Sequence, residues 1–260
     1  MRQVSYHSFM KTIFNIIVLL GLLLTASCST TRPEGTTEAE VLYKEAQKLI
    51  ADGRYLLATE KLNTIRSQYP YSFYSTHAEL LNADILFQQE NYVESASAYI
   101  VFKDFHPKHE KLDYVIWRIA ESFYLQLPET FDRDLAPGYE AIKYYQELLR
   151  IFQNSEYAKE ATERQATIQE MLNKKEKYIA DFYYKTEEFA SALYRYKQIL
   201  GSISDKEYQI HAATRAMSSA SFLKRYDDCR NLFNRYKNFV TEPKQAEAFK
   251  ENLKNCKEDE

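Results

Sequence analysis

The stretch Gly53 to Pro70, GRYLLATEKLNTIRSQYP, constrains this chain more than any other, because it recurs. Tyr55, Ala58, Leu62 and Ile65 are spaced three or four apart and share one face of a helix. Pro70 stops that helix, since it has no N–H to donate and pushes the preceding residue out of the α region. The pattern returns 37 residues later, with Tyr92, Ser95, Tyr99, Phe102 and Pro107 in the same places. A single such helix cannot bury its apolar face alone. Repetition at a fixed period therefore specifies helix pairs stacked on one another.

The remaining chain reads as further pairs. Glu38 to Asp52 is expected as the first helix, with Leu42, Ala46, Leu49 and Ile50 inward and Gly53 as its cap. Tyr55 to Gln68 is its partner, and Thr76–Gln89 with Tyr92–Phe105 forms the second pair. Leu112–Leu127 and Gly138–Phe152 make a third, separated by an insertion, Pro128 to Gly138. Glu156 to Leu172 reads as an additional helix, followed by pairs near 174–200 and 206–239. There Ala180, Phe189, Ala192, Tyr196 and Ile199 map onto Met217, Tyr226, Cys229, Phe233 and Tyr236, again 37 apart. A helix over 243–256 caps the open end, and 257–260 form a disordered tail.

A small residue in the first helix, an aromatic before the second, a small residue within it and a closing proline resemble the tetratricopeptide (TPR) pattern. Its usual period is about 34, so the extra residues fall in YPYSFYS, Tyr69 to Ser75. The expected fold is all-α, a TPR-like α-solenoid of about five helix pairs with an extra helix and a C-terminal capping helix. Its N-terminal repeats span 38–110, its middle 111–172 and its C-terminal repeats 173–256. Five glycines, six prolines, 22 tyrosines and 15 phenylalanines agree with long helices interlocked by large side chains.

The N-terminus reads as an address. Lys11 precedes Ile13 to Leu24, a run of 12 residues that is too short to span a bilayer. Thr25-Ala26-Ser27-Cys28 follows, and it resembles a bacterial lipobox in which Cys28 is lipidated, although Thr25 stands where leucine is usual. The alternative is an ordinary secreted protein cut elsewhere, with Cys28 incidental. Residues 1–27 are thus a lipoprotein signal peptide, with Met1 or Met10 as the start, and 28–37 a flexible tether. Ser29 is not the aspartate that retains many such lipoproteins in the inner membrane, which points to the outer membrane.

Chemistry is sparse. There is no Gly-rich phosphate loop and no HExxH, so neither a catalytic residue nor a cofactor is expected. His106 and His109 read as a helix stop and the next cap rather than a metal site, and Asp132-Arg133-Asp134 as a salt-bridged loop rather than an acid–base pair. The formal net charge of −3, with no long basic block, argues against nucleic acid. Cys229 and Cys256 either pair in an oxidising compartment, stapling the cap to the last repeat at a gain of ~3 kcal/mol, or remain two reduced thiols. The remaining surface is a groove lined by first helices. Tyr43, Gln47 and Ile50 face it from the first pair, and Leu80, Asp84 and Phe87 from the second. Such a groove suits an extended peptide; the alternative is ordinary solvated helix surface.

Several motifs coincide in order: Cys28, YPYSFYS, HPKHEKLDYV from His106, DRD from Asp132, NSEYAKEA from Asn154 and KKEKYIADFYYKTEEFASALYRY from Lys174. Together they resemble the BamD family, the TPR lipoproteins of the outer-membrane β-barrel assembly machine, over Ala39 to about Met217. Departures are Gln153 in place of proline, the Gly201–Ser204 turn and a dissimilar tail. The resemblance implies a lipid-anchored scaffold on the periplasmic face, and no enzyme. Its partners would be the POTRA domains of the barrel-forming subunit, unfolded outer-membrane protein precursors and other assembly lipoproteins. It places a barrel-subunit contact at Arg195, with Tyr196 beside it, and puts the substrate groove on the first two pairs. Alternative readings are another envelope TPR lipoprotein that coordinates cell-wall synthesis or division, or a glycan-binding lipoprotein. The latter would want a carboxylate pair backed by exposed aromatics, and Trp117 is the sole tryptophan.

Overall fold

A computed structural model describes residues 32–257. The signal segment, Cys28 and residues 258–260 lie outside the described residues. Within them the chain is all-α and belongs to the TPR-like class of α-solenoid folds, with eleven helices and no strand. The described residues divide into two compact units, one up to Glu79 and one from Leu80 onward.

The first unit holds α1 (Glu38–Ala51), α2 (Tyr55–Gln68) and the start of α3 (Phe73–Gln88). The Thr37 hydroxyl accepts from the Glu40 amide, while the Glu40 carboxylate accepts from the Thr36 amide and hydroxyl, a reciprocal cap. Lys44, then Thr36, hold the Glu40 carboxyl down at about 2. The stretch expected as a free tether is therefore tied down from residue 32 onward, since Arg32 also pairs with Glu38 and Glu45. Ala46 and Ala58 are fully buried between α1 and α2 beside Leu42, Leu62 and Ile65.

The second unit continues with α4 (Tyr92–Phe105), α5 (Leu112–Tyr124), α6 (Ala136–Ile151), α7 (Ala158–Lys185), α8 (Phe189–Ser202), α9 (Lys206–Phe222), α10 (Tyr226–Tyr236) and α11 (Pro243–Lys254). Two apolar cores lie along it. One runs from Leu80 to Leu172, the other from Ala180 to Cys256. The additional helix and the next first helix, expected as two, are one continuous α7 of 28 residues, about 42 Å long. No glycine or proline interrupts Glu170 to Lys177, and good helix formers bridge the expected break. Helix α7 therefore serves both cores, giving Ala161, Ile168 and Leu172 to one and Ala180 to the other. It runs close to α6 at Gly138, where an added Cβ would lie 2.8 Å from Ile168 Cγ2. Helix α6 begins two residues before Gly138, with Pro137 in its first turn.

The turns inside four helix pairs share one device. Gly53, Glu90, Glu187 and Lys224 all take left-handed φ, between 56° and 72°. The next residue's N–H reaches back to a carbonyl in the last helical turn, as Arg54 does to Leu49, Asn91 to Leu86, Glu188 to Tyr183 and Arg225 to Ala220.

Candidate partner-docking site

Helix α8 has two opposed faces. Ala192, Leu193, Tyr196, Ile199 and Leu200 point into the core. Tyr194 is exposed and Arg195 half-buried, beside a depression of about 450 Å3 that Tyr139 of α6 and Gln169, Asn173 and Glu176 of α7 also line. Arg195 Nη1 lies 3.6 Å from Glu176 Oε2, and both side chains are 38% exposed. So exposed a pair is weak and exchangeable. An arginine fork with a replaceable acid and two exposed phenol rings, on Tyr139 and Tyr194, is suited to recognising a partner carboxylate.

Tyr196 does not belong to that surface. It is fully buried, one helical turn after Ala192 and one before Ile199, and it therefore shares their face. Its hydroxyl donates to Asp181 Oδ1 at 2.6 Å. It is a core residue and makes no open contact surface, a correction to its expected role beside Arg195.

The bond to Asp181 is part of a constellation that occurs twice, at an offset of 97 residues. In the first, Tyr99 and Tyr114 donate to Asp84 Oδ1, the latter at 2.7 Å, and Arg118 lies over the Phe87 ring at 4.3 Å. In the second, Tyr196 and His211 meet Asp181 Oδ1, the latter at 2.6 Å, and Arg215 lies over the Tyr184 ring at 4.5 Å. Lys177 adds an ion pair to Asp181 at 3.0 Å. Burial pushes the Asp181 carboxyl up, but His211, Tyr196 and Lys177 outweigh it and hold the group below the usual carboxylate range. Burial pushes the Tyr99 and Tyr196 phenols well above theirs. Between the two sets, Glu121 is buried with the Tyr145 hydroxyl donating to it and Arg164 Nε 3.6 Å away. Burial wins there and raises its carboxyl.

The expected groove residues fall in different settings. In the first unit, Tyr43 is half-buried against the Tyr74 ring at 5.4 Å, Gln47 is exposed and Ile50 half-buried. In the second, Leu80 is 5% exposed and sits in the core, so it forms no groove wall. Asp84 is engaged by two tyrosines, and Phe87 is covered by Tyr92 and Arg118. These three turn inward because α4 and α5 close over that side of α3. His106 and His109 pack on the Phe102 ring, and no three potential metal ligands cluster among the described residues. Asp134 accepts from the Ala136 amide in the turn that leads into α6. Cys229 and Cys256 are joined by a disulfide, with Cα atoms 5.6 Å apart. No described helix is long and apolar enough to cross a membrane.

Sequence reasoning missed the 97-residue pairing. Its signal was present as Asp–Tyr spaced by 15 in both places, but each contact crosses from one helix to the next and is silent in any local pattern.

Residues 36–223 match the family model YfiO, described as outer membrane lipoprotein. Relatives described as outer membrane protein assembly factor BamD include the following three. The one from Neisseria gonorrhoeae is 29% identical over 212 residues, covering 74% of this chain and 78% of the relative. That from Vibrio cholerae is 28% identical over 200 residues, covering 73% and 83%. That from Rickettsia prowazekii is 22% identical over 220 residues, covering 84% and 87%. Among solved structures, a TPR2AB-domain complex of yeast Sti1 is similar at 10% identity and a TM-score of 0.43, covering 85% of this chain and 99% of that one.

Proposed function

The chain belongs to the YfiO family of outer membrane lipoproteins, and from that premise we infer that it is a non-catalytic assembly factor for outer-membrane proteins. The single observation that supports the docking part of this reading is Arg195, half-exposed with a weakly held acid on a depression that Tyr139 and Tyr194 also line. An incoming carboxylate can displace Glu176 at little cost, since an exposed pair of this kind is worth under about 1 kcal/mol. The partner is the POTRA-bearing barrel subunit of the assembly machine. Unfolded barrel precursors engage the N-terminal repeats, around Tyr43, Gln47 and Ile50 and the exposed Tyr71 and Phe73. Cys28 carries the lipid that holds the chain at the periplasmic face of the outer membrane, alongside other assembly lipoproteins.

The test is co-purification of the full chain from detergent-solubilised membranes. The wild type recovers a large β-barrel protein with POTRA repeats, and Arg195→Glu lowers recovery about tenfold or more through like-charge repulsion. Absence of that partner from the wild-type sample overturns the reading. An Arg195→Glu variant that recovers it undiminished removes Arg195 from the interface. Cys28→Ala releases the chain from the membrane and abolishes palmitate labelling; retention would remove the anchor.

A further inference from the structure

The two constellations place an arginine at the same point of the repeat, Arg118 and Arg215, and then treat it differently. Over Arg118 the space is filled. Its guanidinium centre lies 4.3 Å from the Phe87 ring, 4.5 Å from Trp117 and 5.2 Å from Tyr114, and its Nε donates to the Tyr114 hydroxyl at 3.0 Å. Trp117 in turn stacks on Tyr157 at 4.4 Å. In the second constellation the counterpart of Trp117, 97 residues on, is Thr214. The guanidinium of Arg215 keeps one ring, Tyr184, and opens onto a cleft of about 790 Å3 between α9 and α11.

The cleft has a charge character of its own. Arg215 is exposed and has no ion pair among the described residues, Lys206 donates to the Thr241 hydroxyl at 3.0 Å, and Glu207 is a second acid on the lining. Asp205 is occupied by the amides of Glu207 and Tyr208 at the start of α9. His211 Nε2 is engaged by Asp181. Ile210, Ala248 and the buried Phe249 are the apolar part of the same lining. The α11 wall is fixed by the Cys229–Cys256 disulfide and by Arg230 Nη1, which donates to the Cys256 carbonyl at 3.0 Å. A cleft with fixed walls and an unpaired arginine beside apolar side chains loses little on binding.

We propose that the cleft between α9 and α11 docks a peptide segment of another protein that presents a carboxylate next to an apolar side chain, with Arg215 taking the carboxylate. The planar fork of an arginine accepts a carboxylate through two parallel N–H···O bonds. Stacking on Tyr184 holds its plane and leaves its edge for the ligand. Ile210 and Ala248 receive the apolar side chain. This surface is separate from the Arg195 depression on α6, α7 and α8.

The probe is N-acetyl-leucine, titrated into isotope-labelled full chain in detergent and followed by amide chemical shifts, with N-acetyl-leucine amide and acetate in parallel. The acid should shift Thr214, Arg215 and Ala248 at concentrations at least about tenfold lower than either control, because only it offers both the charge-assisted bonds and the apolar contact. Thr214→Trp rebuilds the filled first constellation, so it should abolish the shifts while thermal unfolding stays close to wild type. Arg215→Lys should weaken binding about tenfold, since an ammonium is a point charge without the fork. Equal response to acid and amide, or to acid and acetate, would overturn the proposal, the latter reducing the cleft to a general anion site. So would undiminished binding by the Thr214→Trp variant, or shifts that map away from α9 and α11.

Discussion

The Asp84 and Asp181 constellations use one backbone frame and two chemistries. Both join a first helix, its partner and the next first helix through one carboxylate, and both set a left-handed glutamate in the turn, Glu90 and Glu187. The Asp84 set is filled with rings: two phenols on the acid, and Trp117 over the arginine. The Asp181 set is more polar, because Lys177 brings an ion pair where Leu80 is buried and an imidazole, His211, stands in place of the Tyr114 phenol. The repeat therefore specifies where a carboxylate bridges three helices. The residues around it decide whether the site is a sealed aromatic joint or an open, ionised one.

Removing the carboxylate should separate the two most sharply. Asp181→Ala strips Lys177, His211 and Tyr196 of a shared ionised acceptor and is expected to cost about 3 kcal/mol, the upper end for hydrogen bonds to charged groups. Asp84→Ala strips two hydroxyls and is expected to cost about 2 kcal/mol. Denaturant unfolding in low and in high salt checks this, since only the Asp181 difference should shrink with screening. Equal losses with equal salt response would mean that the charged neighbours contribute nothing.

Exchanging the ring for its counterpart comes next. Trp117→Thr opens over Arg118 the space that Thr214 leaves over Arg215 and removes the stack on Tyr157. The indole is half-buried, so the cost is expected at about 2 kcal/mol, below that of a fully buried tryptophan. A loss under a few tenths would show that the sealed joint does not depend on its ring.

Acid should act on the half-buried Asp181 and the buried Glu121 in opposite directions. The Asp181 group titrates below its ordinary value, so its stabilisation is present above about pH 3.9 and is lost as pH falls through its folded value. The Glu121 group titrates above its ordinary value, so its contribution is complete below about pH 4.3 and is lost as pH rises. Hydrogen exchange, corrected for intrinsic rates, should show α8 and α9 opening first on acidification, and Asp181→Asn should abolish that order. At neutral pH Glu121→Gln should be neutral or mildly stabilising. A clear loss there would reverse the sign assigned to Glu121.

Much of this architecture is legible in the sequence where a signal is local. Ala58, Leu62, Ile65 and Pro70 announce a helix face and its stop, and Gly53 announces its turn. Three features were not legible in that way. Helix α7 runs through 170–177 because nothing there breaks a helix, while the period suggested a new start. Tyr196 adjoins Arg195 in the chain, which suggests the surface, while its spacing from Ala192 and Ile199 puts it inward. The groove wall at Leu80 failed because which face of α3 is covered depends on α4 and α5, and no spacing within α3 encodes that.

The smallest effect probes what the constellations have in common. Glu90 and Glu187 sit at φ 61° and 62°, where a Cβ crowds the following carbonyl at a cost of about 1 kcal/mol. Glycine relieves that cost but gains freedom in the unfolded chain, so Glu90→Gly and Glu187→Gly should each stabilise by a net of about 0.5 kcal/mol. The converse is available at Gly53, φ 72°, where nothing lies within 4 Å of a built Cβ. Gly53→Glu should therefore cost a net of about 0.5 kcal/mol, the same two terms with their signs reversed. Since the turn belongs to the frame and not to its filling, the two glutamate variants should agree with each other in thermal and denaturant unfolding. A gain at one and a loss at the other would mean that the glutamate side chains take part in the chemistry that separates the two sets, and the division between common frame and variable filling would have to be redrawn around them.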